Sequence, residues 1–277
     1  MKKRKDLSVE ILVSIILSIV IIAVLVGIVF LGCGIYKKNT FKVQNPVATI
    51  EVEGYGTIKV ELYPDQAPNT VANFIKLANN EFYDGLTFHR TIKDFMIQGG
   101  DKSGDGTGTP SLSDLDKNLE DTKYAIEGEF IANNYKNNIQ MERGVIAMAR
   151  SDYSSISSSL AEKGYNSAGS QFFIMQEDQT SIDGMYAGFG KVIEGLDVVD
   201  AIANVEVYYR DSELAEGEEA PKDADGNQIN SDTPKVAPVI TTIRVETYGI
   251  DYGTPTTVEP FDYYSWMMQN YSSSSNQ

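Results

Sequence analysis

The stretch Phe88-His89-Arg90-Thr91-Ile92-Lys93-Asp94-Phe95-Met96-Ile97-Gln98-Gly99-Gly100-Asp101 decides how this chain is read. It holds two β-like runs, residues 86–91 and 95–98, with a turn after Arg90. Strand alternation puts Met96 and Gln98 on one face, with Phe95 at the strand's mouth beside the turn. Working outward, residues 47–53 and 57–62 alternate on either side of Gly54-Tyr55-Gly56 in hairpin style, and 144–149, 171–176, 189–193 and 238–247 are further strands. Along 171–174, Gln171 and Phe173 share one face while Phe172 and Ile174 share the other. One face can then pack a core and the other present a pocket. Pro68 suits the first turn of a helix whose Val71, Phe74, Ile75 and Ala78 form one buried stripe, and Leu196, Val199, Ile202 and Ala203 mark a second. Many short strands with two helices point to a closed barrel with helical plugs.

Residues 103–118, 151–164 and 211–235 are rich in turn-forming or acidic side chains and are expected to be surface insertions. Gly104-Asp105-Gly106-Thr107-Gly108 has the glycines of a phosphate cradle but lacks the strand-to-helix context, so it reads as a loop. Asp223-Ala224-Asp225-Gly226-Asn227 resembles a calcium loop only in part, because its glycine comes too early. Residues 251–277 form a tail with aromatics at Phe261, Tyr263, Tyr264 and Trp266, expected to be mobile, with docking on the domain or a membrane as the other reading.

The 277 residues carry a formal charge of −16, unevenly spread. Residues 1–40 hold six Lys/Arg against Asp6 and Glu10, a net +4, which leaves −20 for the rest. A domain that acidic repels phosphate backbones, so nucleic acid is excluded as a partner. Cys33 is the only cysteine and His89 the only histidine. No intrachain disulfide and no Cys/His metal site can be assembled, and any hydrolase triad would have to run through one imidazole. Ser170 also lacks the glycine two residues later that a nucleophile elbow requires.

Residues 1–10 form a short basic segment, and residues 11–36 follow without a charge. About 20 apolar residues cross a bilayer, so 11–36 reads as a transmembrane anchor, ahead of a linker at 37–46. The lysines and arginine before it favour a cytoplasmic N-terminus, a single pass through the cell membrane and an extracytoplasmic domain. The alternative is a cleaved signal exposing Cys33 for lipid attachment. Phe30-Leu31-Gly32-Cys33 matches a bacterial lipoprotein box loosely, and the apolar run is longer than the usual signal core.

The stretch 88–101 closely resembles the signature of cyclophilin-type peptidyl-prolyl isomerases. The resemblance continues through Gly144-Val145-Ile146-Ala147-Met148-Ala149-Arg150, through Asn166-Ser167-Ala168-Gly169-Ser170-Gln171-Phe172-Phe173-Ile174, and through Asp183-Gly184-Met185-Tyr186-Ala187-Gly188-Phe189-Gly190-Lys191-Val192. It covers most of residues 47–247, within a domain taken as 47–250. It implies a mainly β fold, an eight-stranded antiparallel closed barrel capped by two α-helices, with the active site on the outer face. That placement is sensible, because the interior of so small a barrel is filled by its own side chains.

The implied reaction is rotation about X-Pro bonds, without cofactor or metal. The barrier of about 18–20 kcal/mol comes from resonance of the nitrogen lone pair into the carbonyl. A guanidinium directed at the prolyl nitrogen or the neighbouring carbonyl stabilises the twisted state. Carried over position by position, Arg90 is the catalytic residue. Phe95, Met96, Phe173, Ile182 and Tyr186 form the wall that grips the proline, Ala149 is a further substrate-binding position, and Gln98 and Gln171 contact the peptide backbone. His89 is expected to be a hydrogen-bonded structural residue. Ser181, Tyr186 and Arg150 depart from the eukaryotic pattern, the last two toward bacterial members; loss of the tryptophan at 181 implies weak cyclosporin affinity. The partners implied are proline-containing unfolded or extended polypeptides, outside a bacterial cell. The altered rim leaves a second reading, a peptide-binding module or holdase with little turnover.

Overall fold

The computed structural model describes residues 2–40, 44–210, 213–214, 218–223 and 226–274, with side chains from 9 to 31 in the first segment and to 270 in the last. It divides into two units, Met1–Gln44 and Asn45–Gln277. In the first, α1 (Lys2–Thr40) contains Val9–Leu31, 23 residues of mean hydropathy 3.3 with none of its surface buried. At 1.5 Å per residue that stretch is about 35 Å long, enough to cross a hydrocarbon core. An N-terminal helix of this kind has the length and composition of a membrane span or a signal sequence. The side chain of Cys33 lies outside the described residues.

In the second unit, eight strands form one antiparallel sheet: β1 (Val47–Val52), β2 (Gly56–Leu62), β3 (Phe88–Ile92), β4 (Met96–Gly99), β5 (Val145–Met148), β6 (Phe172–Met175), β7 (Gly188–Glu194) and β8 (Ile240–Glu246). Their spatial order is β3-β4-β6-β5-β7-β2-β1-β8, and the sheet curls on itself. The "closed" of the sequence reading is too strong. The outer strands β3 and β8 share no ladder, and the gap is crossed by the Thr87–Val239 bridge with Ile240 N–H donating to Leu86 O at 2.7 Å. Farther along β3 the outer edge is occupied otherwise: Thr91 N–H donates to Asp232 O at 2.9 Å.

Alternation divides the side chains between two cores. Phe88, Ile97, Ile146, Met148, Phe172 and Ile174 point inward and pack with α2 (Pro68–Asn79) and α5 (Leu196–Ala203), the two helices expected from their apolar stripes. Phe172 meets Phe74, Tyr83 and Phe88 edge-on at centroid distances of 5.7, 5.6 and 6.2 Å. Met96, Val145, Ala147, Phe173 and Met175 point outward into a second cluster, which Phe95, Ala149, Ile182 and Tyr186 partly cover.

Two features fix this arrangement in the sequence. Gly100 has φ +82°, and a Cβ there would sit 2.6 Å from Ser170 O, so only glycine allows the chain leaving β4 to pass that close. Helix α2 has no side-chain cap of its own; instead the buried Glu129 accepts from Asn69 N–H at 3.0 Å and Thr70 N–H at 2.8 Å. Its negative charge also suits the positive end of the helix.

The insertions are more ordered than their composition suggests. Within 103–118 lies the short α3 (Leu112–Leu115), and the glycine loop wraps the buried Asp101, whose carboxylate accepts from the N–H groups of Ser103, Asp105 and Gly106. Those donors are satisfied internally, which is why the loop is not a phosphate cradle. Residues 151–164 lead into α4 (Ala161–Tyr165). The tail docks rather than standing free. Ala125 and Val258 exchange backbone hydrogen bonds, and α6 (Tyr263–Ser274) stacks Tyr263 on Tyr153 with centroids 5.8 Å apart. These helices escaped the sequence reading because they are short or lack an apolar stripe. Of the partial calcium loop, residues 224 and 225 lie outside the described residues, as does part of the 211–235 insertion.

Candidate active site

On the outer face, a cavity of about 540 Å³ opens above the second cluster. Its floor and sides are Phe95, Met96, Ala149, Phe173, Ile182 and Tyr186, brought together from β4, β5, β6 and the segment before β7. Met96, Phe173 and Phe95 converge because β4 lies between β3 and β6, with Gln98 opposite both Arg90 and Phe173. The turn carrying Phe95 uses Asp94 at φ 60°, a conformation that aspartate tolerates. Tyr186 is held from two sides, edge-on to Phe173 at 5.2 Å and under the Arg150 guanidinium at 4.8 Å.

Arg90 lies at the rim, its side chain 42% exposed, and among the described residues it donates no hydrogen bond. Gln98 also lines the cavity and donates to Gln171 at 3.0 Å. Gln171 itself is turned to an adjoining hollow of about 390 Å³, where it donates to Gly106 O at 3.0 Å. Every site residue expected from the sequence therefore lines the main cavity except Gln171, which touches it through Gln98.

Three groups of lining residues were not in the expected set. Arg150 stands among Phe130, Tyr165 and Tyr186, at 5.5, 5.0 and 4.8 Å from their centroids, and donates from Nε to Met185 O. It is a fixed wall of the cavity, and the signal for it was its place directly after Ala149. Asp105 and Gly106 come from the glycine loop. Tyr209, just before the acidic insertion, and residues 228–231 and 233 within it also line the cavity, so the insertion is more than a surface excursion.

His89 is only 6% exposed; its ring lies by the Thr87 backbone, but neither ring nitrogen makes a well-formed hydrogen bond among the described residues. Burial holds its pKa below the ordinary imidazole value; Asp101 opposes this, Arg90 adds to it and Asp105 opposes it. The unfolded chain therefore binds a proton more readily than the folded one. Stability contributed by neutral His89 is complete above about pH 6.5 and is lost as pH falls from there through the lower folded value. As His89 is the sole histidine, its one imidazole resonance should titrate with a midpoint below that of a histidine peptide. The urea midpoint should fall over the same window, and His89→Gln should flatten it.

The chain thus combines a curled eight-stranded sheet plugged by two helices with an outer-face cavity that has an apolar floor and the guanidiniums of Arg90 and Arg150 along its edge. The chain belongs to the cyclophilin family: the model of the cyclophilin type peptidyl-prolyl cis-trans isomerase/CLD family matches residues 47–221. It is a peptidyl-prolyl cis-trans isomerase. It is 40% identical over 156 residues to peptidyl-prolyl cis-trans isomerase B of Bacillus subtilis, a match spanning 56% of this chain and 90% of that one. To the peptidyl-prolyl cis-trans isomerase of Synechococcus elongatus it is 39% identical, over 57% of this chain and 88% of the relative. Among solved structures it is similar to the Cryptosporidium parvum cyclophilin-type isomerase crystallised in the presence of the dipeptide Ala-Pro. That match has a TM-score of 0.51 and 26% identity over 72% of this chain and 98% of the other.

Proposed function

We propose that this isomerase is tethered to the cell membrane and acts on proline-containing unfolded or extended polypeptides outside the cytoplasm, with Arg90 as its catalytic residue. Phe95, Met96, Ala149, Phe173, Ile182 and Tyr186 grip the proline ring, and Gln98, tied to Gln171, meets the peptide backbone. As the preceding carbonyl swings out of plane, the prolyl nitrogen becomes pyramidal and its lone pair is localised. A guanidinium at the rim donates to that nitrogen or to the neighbouring carbonyl and favours the twisted amide. No covalent bond is made, so the site needs no nucleophile.

The observation that carries this reading is Arg90 beside an apolar hollow large enough for a prolyl segment, its guanidinium ion-paired at 3.7 Å with Asp232 but donating no side-chain hydrogen bond among the described residues. That the Cryptosporidium parvum relative was crystallised in the presence of the dipeptide Ala-Pro supports the substrate class. NMR exchange spectroscopy on a short X-Pro peptide tests it: wild type should broaden the cis and trans signals, and binding without exchange would overturn it in favour of the holdase reading.

The basic segment 1–10, an anchor at 11–36 and the linker 37–46 complete the arrangement, ahead of the 47–250 domain and the 251–277 tail. The exposed apolar helix and the basic flank before it support a cytoplasmic N-terminus. Mass spectrometry of membrane-extracted protein should return an intact N-terminus from Met1. A lipid-modified Cys33 terminus would overturn the anchor.

A further inference from the structure

The acidic insertion reaches the site as a two-stranded ribbon. Asp232 N–H donates to Tyr209 O at 3.0 Å, Tyr208 N–H to Thr233 O at 2.9 Å and Lys235 N–H to Glu206 O at 2.8 Å. The ribbon is pinned at its turn: Thr91 N–H donates to Asp232 O, and Asn230 Nδ2 donates to Asp105 O at 2.9 Å. Both pins fall on segments that border the cavity. Asp232 is thereby carried to the side of Arg90 from a segment beyond residue 221, where the family match ends.

The charges there form a chain. The Asp232 side chain is 11% exposed, with Oδ1 3.2 Å from Arg210 Nη1 and Oδ2 3.7 Å from Arg90 Nη2. The first distance is a hydrogen bond; the second is too long for one but short enough for strong attraction at a half-buried site. Arg210 thus holds the carboxylate, and the carboxylate attracts the Arg90 guanidinium without using up its N–H groups. A free arginine side chain samples many rotamers. A fixed anion at the rim narrows that freedom before substrate arrives, leaving the donors aimed at the cavity.

We propose that Asp232 is a positioning residue for Arg90, supplied by the inserted ribbon and acting through the guanidinium rather than on the substrate. This rests on the assignment of Arg90 as catalytic. Asp232 sits at φ 59°, a conformation asparagine also accepts, so Asp232→Asn removes the charge while keeping the turn and its backbone bond to Thr91.

The test is a double-mutant cycle on the full chain in nanodiscs, read by NMR exchange on an uncharged X-Pro peptide. Asp232→Asn should lower kcat/KM about three- to fivefold with peptide affinity nearly unchanged, the size expected for a partly exposed ion pair. In an Arg90→Ala background the same change should do nothing further. Raising salt from about 0.01 M to 1 M, which shortens the Debye length from about 30 Å to 3 Å, should slow the wild type but not Asp232→Asn. Equal losses in both backgrounds, an unchanged rate, or a faster Asp232→Asn enzyme would overturn the proposal. If Asp232→Asn does not fold, the wild-type salt response decides, and a flat one overturns it. Failure of the catalytic assignment reads out separately, as an Arg90→Ala enzyme that keeps wild-type activity.

Discussion

Arg90→Ala should lower kcat/KM for an X-Pro peptide by about 10²-fold, comparable to removing one donor from an oxyanion hole. The size follows from where the side chain stands. It is a charged donor at the edge of an apolar cavity, and its 3.7 Å ion pair with Asp232 leaves its N–H groups unspent on hydrogen bonds, so they remain available to the twisted amide. Because it is exposed at the rim and outside both cores, the substitution should leave the unfolding midpoint almost unchanged. Arg90→Lys should recover little. An ammonium is a compact point charge on a flexible stem and cannot present two parallel N–H groups to a nitrogen and a carbonyl at once. Line-shape analysis that separates binding from exchange checks this: the loss should fall in the exchange rate, with peptide affinity changed far less.

The strand-borne half of the candidate site was legible because strand periodicity is short-range. Met96 with Gln98, and Gln171 with Phe173, share faces by counting in twos, and the structure puts each pair on the outer side. Gly100 stands in the 88–101 stretch, and the structure shows why: the close approach of Ser170 requires a glycine there. What escaped is what depends on long-range placement. Nothing near Ala67 announces that Glu129 caps α2, since the bond spans some sixty residues. Gln171 lies on the predicted face but is drawn toward Gly106 by a loop whose path periodicity does not encode. The insertion at 211–235 read as solvated because it is acidic and turn-rich. Its ribbon is held by a backbone bond to β3 and by the Asn230 side chain on the glycine loop, and long-range bonds of either kind leave no mark in composition. The same ribbon explains why the sheet closes only at Thr87–Val239: past that point the outer edge of β3 pairs with Asp232 and not with β8.

Phe172 and Phe173 are neighbours of identical chemistry, and their truncations should separate stability from activity. Phe172 is fully buried, edge-on to three aromatic rings, and Phe172→Ala should destabilise the domain by about 3–5 kcal/mol, since the lost contacts leave a void that the packed rings cannot fill. That is a large share of the roughly 5–15 kcal/mol that holds a typical domain together. Molecules that remain folded should keep activity within a few-fold, because no atom of Phe172 faces the cavity. Phe173 is also nearly buried, but against Tyr186 on the floor of an open cavity, where water can take the place of the lost ring. Phe173→Ala should therefore cost about 1–2 kcal/mol of stability, near the low end for burying one such side chain. Its kcat/KM should fall about 10- to 100-fold, the range set by removing one to three kcal/mol of apolar contact with a bound ring. Urea unfolding and NMR exchange on the two variants decide the matter together. If both lose stability equally and keep activity, the outer face of β6 is only a second core, and the proline pocket must be sought elsewhere.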